Sequence, residues 1–215
     1  MNFKKINPQT AIIIVLVLVI IGFAYNKWGE GMLASIKYRF SGQEEKDRLQ
    51  IGDVGAKLRI IEYYSYTCEY CRSFESEIKP TIIRNYVSGS KVRWVFRPVD
   101  LELGVAVLCA DEQDKFLEYH DSLFRNASNI SKEEDLKQLA KNVGMNEETF
   151  WQCYSSGKYE TLVIGWYNDL VSDFKKYKIA ENEKGTPAFL IGDKMITGMQ
   201  PYDVIAGIIE EKLAK

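Results

Sequence analysis

Cys68-Glu69-Tyr70-Cys71 stands directly after Leu58-Arg59-Ile60-Ile61-Glu62-Tyr63-Tyr64-Ser65-Tyr66-Thr67 and directly before Arg72-Ser73-Phe74-Glu75-Ser76-Glu77-Ile78. The upstream run is apolar, β-branched and aromatic, which is strand composition. The downstream run continues at helical spacing, with Thr67 offering an N-cap hydroxyl and Pro80 predicting a kink. Two cysteines three positions apart close a disulfide when the first sits at a helix N-terminus and the second lies one turn on, facing the same side. Strand, C-x-x-C, helix is the order that this geometry needs.

The chemistry rests on electrostatics. Unpaired N–H groups and the positive end of the helix dipole favour negative charge at Cys68, so Cys68 is the expected nucleophile. Cys71, one turn inside the helix, is the expected resolving thiol that breaks a mixed disulfide. Glu69 and Tyr70 would tune the redox poise: Glu69 opposes thiolate formation, and Arg72, four positions after Cys68, favours it. Such exchange needs no cofactor beyond the cysteine pair. A zinc site would call for a second Cys or His pair at ligand spacing, but Cys109 and Cys153 stand alone and His120 is the only histidine, so no metal is expected. A purely structural 68–71 disulfide is the remaining alternative.

The chain has 215 residues and a formal charge of −2, with no basic stripe of the kind that marks a nucleic-acid binder. Lys4 and Lys5 precede the uncharged run Ala11 to Tyr25, which has the charge order of an export segment. Residues 1–28 are thus read as a signal-anchor or transmembrane segment, with cleavage after Ala24 and a secreted form as the competing outcome. Either way, the chain beyond residue 28 is expected outside the cytoplasm, in the periplasm or on the outer face of the membrane. Residues 29–50, with several glycines and the charged run Glu44-Glu45-Lys46-Asp47-Arg48, read as a linker with one short helix around Met32 to Phe40. A tether fits them better than a dimerisation arm.

Residues 51–100 read as the first half of an α/β domain, closed by the strand Lys91 to Val99, in which Val92, Trp94 and Phe96 alternate with Arg93, Val95 and Arg97. From 101 to 178 the pattern turns helical: Phe116, Tyr119, Leu123 and Phe124 share one face, and Ser131-Lys132-Glu133-Glu134 reads as a capping box. This is an inserted helical domain. Residues 179–215 return to strand and turn, with Ala188–Ile191 and Lys194–Thr197 flanking the hairpin signal Gly192-Asp193, then a closing helix from Tyr202 to Leu213. Cys109 and Cys153 lie on apolar helix faces within the insertion; they are either a second disulfide, favoured by an oxidising compartment, or two buried thiols. His120, within a packing face, reads as structural.

Three segments in register, Glu62 to Cys71, Lys115 to Phe124 and Gly185-Thr186-Pro187-Ala188-Phe189, resemble the bacterial DsbA-type disulfide oxidoreductases over about residues 51–215. The resemblance implies a thioredoxin-like α/β fold with a helical insertion. It also implies a cis-proline loop at Thr186-Pro187 lying against Cys68, where Thr186 pairs with an incoming peptide. The implied partners are reduced or unfolded exported proteins and a quinone-linked membrane reoxidase of the DsbB or VKOR kind. The Glu69-Tyr70 pair differs from the proline-histidine pair of the strongest oxidases, and threonine before Pro187 is shared with isomerase-like relatives. An isomerase or reductase is therefore the second expectation, and a membrane-tethered binding module or chaperone the third.

Overall fold

The computed structural model describes residues 43–215. The expected anchor, the cleavage point after Ala24 and the helix around Met32 to Phe40 lie outside the described residues. Among the described residues no helix is long and apolar enough to cross a membrane. One compact unit spans Lys46–Lys215.

Its centre is a five-stranded sheet in the order β1-β3-β2-β4-β5. The strands are β1 (Gln50–Ile51), β2 (Leu58–Tyr64), β3 (Val92–Pro98), β4 (Ala188–Ile191) and β5 (Lys194–Thr197). β2 runs parallel to β3, with Leu58 opposite Val92 and Tyr64 opposite Pro98, and antiparallel to β4. Between β2 and β3 the chain crosses over through α1 (Glu69–Glu77), α2 (Lys79–Ile82) and a π-helical turn at Ile83–Val87. The break between α1 and α2 comes at Ile78, because Pro80 cannot donate within a continuous helix. β4 and β5 form the hairpin around Gly192-Asp193, Gly192 holding φ +60°, and α8 (Tyr202–Leu213) closes the chain.

The helices between β3 and β4 are α3 (Leu101–Asp111), α4 (Phe116–Asn126), α5 (Glu133–Asn142), α6 (Glu147–Ser155) and α7 (Glu160–Lys176). A disulfide between Cys109 on α3 and Cys153 on α6 links two of them. Each sheet face has its own apolar layer. On one, Tyr64, Trp94, Phe96 and Phe189 pack with Phe74 of α1 and Ile205 and Ile209 of α8. On the other, Leu170 and Phe174 of α7 cover Ile61, Tyr63, Val95 and Ala188. Trp94 and Trp166 are fully buried, each contributing roughly 1.5–3 kcal/mol or more of apolar transfer free energy.

All seven residues of β3 are buried, beneath α7 and the opposite layer. Two expectations are corrected by this fold. Ser131 is not the cap of α5: Lys132 holds the N-cap position, and Asp135 Oδ2 accepts from the backbone N–H groups of Ser131 (2.9 Å) and Lys132 (3.1 Å). The second concerns the linker, whose last residues belong to the fold. Leu49 is buried, Gln50 starts β1, and Asp47 is fully buried against three guanidiniums. Its carboxylate meets Arg59, Arg93 (3.0 Å) and Arg97 (3.2 Å), while Arg97 also reaches Asp169 of α7 at 3.0 Å. The charge run around Asp47 is therefore only partly solvated, because its acidic member neutralises arginines that β2 and β3 carry under α7.

Candidate active site

Cys68 holds the N-cap position of α1 with extended backbone, φ −79° and ψ 122°. Its thiol is half-buried and donates to the Thr186 carbonyl at 3.3 Å. The Thr186–Pro187 peptide bond is cis. The loop before β4 thus lies directly against the first cysteine, although 118 residues separate Thr186 from Cys68. Cys71 is fully buried, and burial, reinforced by the neighbouring Cys68, pushes its thiol well up from the ordinary range. Both cysteines are free, so the pair is in its dithiol form. Glu69 and Tyr70 project outward, Tyr70 with 67% of its surface exposed.

Thr67 does not cap the helix. Its hydroxyl pairs with Ser65 Oγ at 2.9 Å, and α1 has no side-chain cap. The turn into Cys68 is held by Asp100, which accepts from Ser65 Oγ at 2.8 Å and from the Tyr66 backbone N–H at 2.6 Å. Burial raises the Asp100 carboxyl and these two donors partly offset that. Asp100 stands just after β3, so it reaches the cysteine turn through the parallel β2–β3 pairing, which no local pattern in the sequence reveals.

A buried polar cluster connects β2, β3, α1, α2 and α4. Glu62, in mid-β2 between Phe96 and Phe189 on the neighbouring strands, accepts from Trp94 Nε1 at 2.8 Å and pairs with Lys79 at 3.0 Å. Lys79 also pairs with Glu75, and Glu75 faces His120 Nε2 at 3.2 Å. Burial raises Glu62 to about 7 against the opposing pull of Lys79. Burial acts on Glu75 in the same sense, but Lys79 and His120 together outweigh it and hold Glu75 at about 2. His120 is lowered by burial. Its ring is enclosed by Tyr64, Tyr66, Phe96, Phe116 and Phe124 at centroid distances of 5.0–5.5 Å. With Nε2–H directed to Glu75, neutral His120 presents Nδ1 as an acceptor to the Tyr66 hydroxyl at 2.9 Å. The spacing of Glu75 and Lys79, i and i+4, is the one sequence signal that could have pointed to this cluster. Cys109 and Cys153 lie in the insertion, bonded to each other, and among the described residues no group of metal-ligating side chains assembles.

A family model described as thioredoxin matches residues 44–211. The chain belongs to this thioredoxin family. It is similar to disulfide bond formation protein D of Bacillus subtilis, 26% identical over 187 residues, covering 80% of this chain and 81% of that protein. A Rickettsia bellii protein with the provisional name protein-disulfide oxidoreductase is 23% identical over 157 residues, or 68% of this chain. The match spans 58% of that relative's length, and the other Rickettsia relatives are covered to a similar extent. Among solved structures, oxidised BdbD of Bacillus subtilis superposes with a TM-score of 0.63 at 23% identity, covering 80% of this chain and 95% of that one. DsbA of Chlamydia trachomatis gives 0.62 at 22% identity, covering 75% and 88%. These likenesses establish the thioredoxin-like fold with its helical insertion.

Proposed function

We propose that this protein is an extracytoplasmic thiol-disulfide oxidoreductase that oxidises exported proteins through Cys68 and Cys71. The observation that carries the reading is the contact of the Cys68 thiol with the Thr186 carbonyl beside the cis Pro187, at the start of α1, with Cys71 buried behind it. In the oxidised enzyme a substrate thiolate attacks Cys68 Sγ; the Cys68–Cys71 bond breaks and Cys71 leaves with the electron pair. A second substrate thiol then attacks the substrate sulfur of the mixed disulfide. This forms the substrate disulfide and releases Cys68, so two electrons end on the dithiol. Burial disfavours a charged Cys71, so the thiolate that leaves takes up a proton from solvent and rests as a neutral thiol. The Thr186 backbone beside Pro187 would pair with an extended peptide, and exposed Tyr70 offers it an apolar surface. A quinone-linked membrane reoxidase would return the dithiol to the disulfide. The Cys109–Cys153 bond supports an oxidising compartment.

Replacing Cys71 with Ala should accumulate mixed disulfides on Cys68, seen as dithiothreitol-sensitive adducts, whereas Cys71→Ala combined with Cys68→Ser should accumulate none. Adduct-free Cys71→Ala protein would overturn the reading in favour of a binding module. The reduction potential of the pair sets the direction: near about −120 mV it donates disulfides, and towards about −270 mV it works as a reductase or isomerase.

A further inference from the structure

We propose that the hollow between α1–α2 and α4 is a binding site for a small amphiphilic carboxylate, an apolar body bearing one anionic group. The hollow has a volume of about 780 Å³, within the range of small-molecule sites. Its walls are apolar: Ile83 from the crossover, Phe96 from β3, and Leu117 and Phe124 from α4. Leu117 is 44% exposed there, an apolar side chain left facing solvent beside two aromatic rings.

Charge gives the hollow its selectivity. Arg72, Arg84 and Arg125 line it, with Asp121 as the acid on the α4 side. The other ionisable groups in the lining, Glu75, Lys79 and His120, are committed to one another and to Glu62 in the buried cluster. Arg72 Nε is shielded from solvent and has no hydrogen-bond partner among the described residues. A buried guanidinium N–H left without an acceptor is unfavourable, and a carboxylate is the acceptor that its fork geometry fits. Aromatic walls with a cationic rim thus select an apolar body ending in an anion over a neutral or cationic analogue. Neither cysteine lines the hollow, so binding there is read separately from thiol exchange.

The test uses the full chain in lipid nanodiscs, with empty nanodiscs as the blank, and the probe 4-phenylbutyrate beside 4-phenylbutan-1-ol and 4-phenylbutylamine. Binding is read by saturation-transfer NMR and calorimetric titration. The expected result is saturable binding of the carboxylate, at least about tenfold tighter than the alcohol, as a charge-assisted hydrogen bond provides, and no binding of the amine. Arg125→Glu should remove most of the carboxylate's advantage while leaving the alcohol unchanged, and Leu117→Asp should weaken both. Both residues are exposed, so an unchanged melting temperature certifies the fold of each variant. Equal affinity for carboxylate and alcohol, insensitivity to Arg125→Glu, or no saturable binding would overturn the proposal.

Discussion

Glu75 faces one cation, Lys79, and the Nε2–H of His120, and its pH response reflects both. Lys79 and His120 hold its carboxyl at about 2 in the fold against an ordinary 4.5. The unfolded chain therefore binds the extra proton between those values, so the stability Glu75 contributes is complete above about pH 4.5 and is lost as pH falls towards 2. Glu75→Gln should destabilise the protein by about 3–5 kcal/mol at neutral pH, as expected when a buried charge loses its partner. In urea unfolding the gap between wild type and variant should narrow below about pH 4.5; a gap constant down to pH 2.5 would refute the pairing. Glu62 runs the other way: raised to about 7, it takes up a proton on folding, and its contribution declines as pH rises from 4.5 to 7. At Gly52, φ is +92° and an added Cβ would stand 2.6 Å from the Val92 carbonyl oxygen. Gly52→Ala therefore carries both conformational strain and a backbone clash, and should lower stability by more than about 1 kcal/mol, read from the thermal midpoint.

At the scale of elements, the insertion is stapled by one covalent link between helices 44 residues apart. Closing a loop of that length restricts the unfolded chain by about 3–4 kcal/mol. The double variant Cys109→Ala, Cys153→Ala should lose roughly that much in denaturant unfolding while retaining exchange at Cys68 and Cys71. Which elements the sequence discloses depends on whether their cause is local. The β4–β5 hairpin and α8 arise from a Gly-Asp turn and amphipathic spacing, and the structure places them where that spacing puts them. The capping of α5 by Asp135, the support of the cysteine turn by Asp100 and the two covered faces of β3 all depend on partners set by backbone detail or distant packing. The lone histidine reads correctly as a packing residue, but its partners Glu75, Tyr64 and Tyr66 come from separate segments and converge only in three dimensions.

Across the whole molecule, the segment before β1 is tied into the fold through charge. Asp47→Asn would leave Arg59, Arg93 and Arg97 short of a buried counter-ion, and should cost about 3–5 kcal/mol in chemical unfolding. A loss below about 1 kcal/mol would mean that the other partners of those arginines, Asp169 among them, suffice to hold them. The Asp47 joint also has a mechanical side. A pull arriving from the N-terminal direction enters the folded unit at Lys46, whose carbonyl is held by Trp166 Nε1 at 2.9 Å. It then meets the triple ion pair, the hydrogen bond from Phe96 N–H to the Leu49 carbonyl, and the two residue pairs of β1 against β3. These contacts succeed one another within six residues, from Lys46 to Ile51, and end on β2, β3 and α7, so tension would be spread over the sheet and α7 before it reached the cysteine-bearing helix. Residues 46–51 would thus serve as an anchor that hands such a pull to the sheet and α7, away from the cysteine pair.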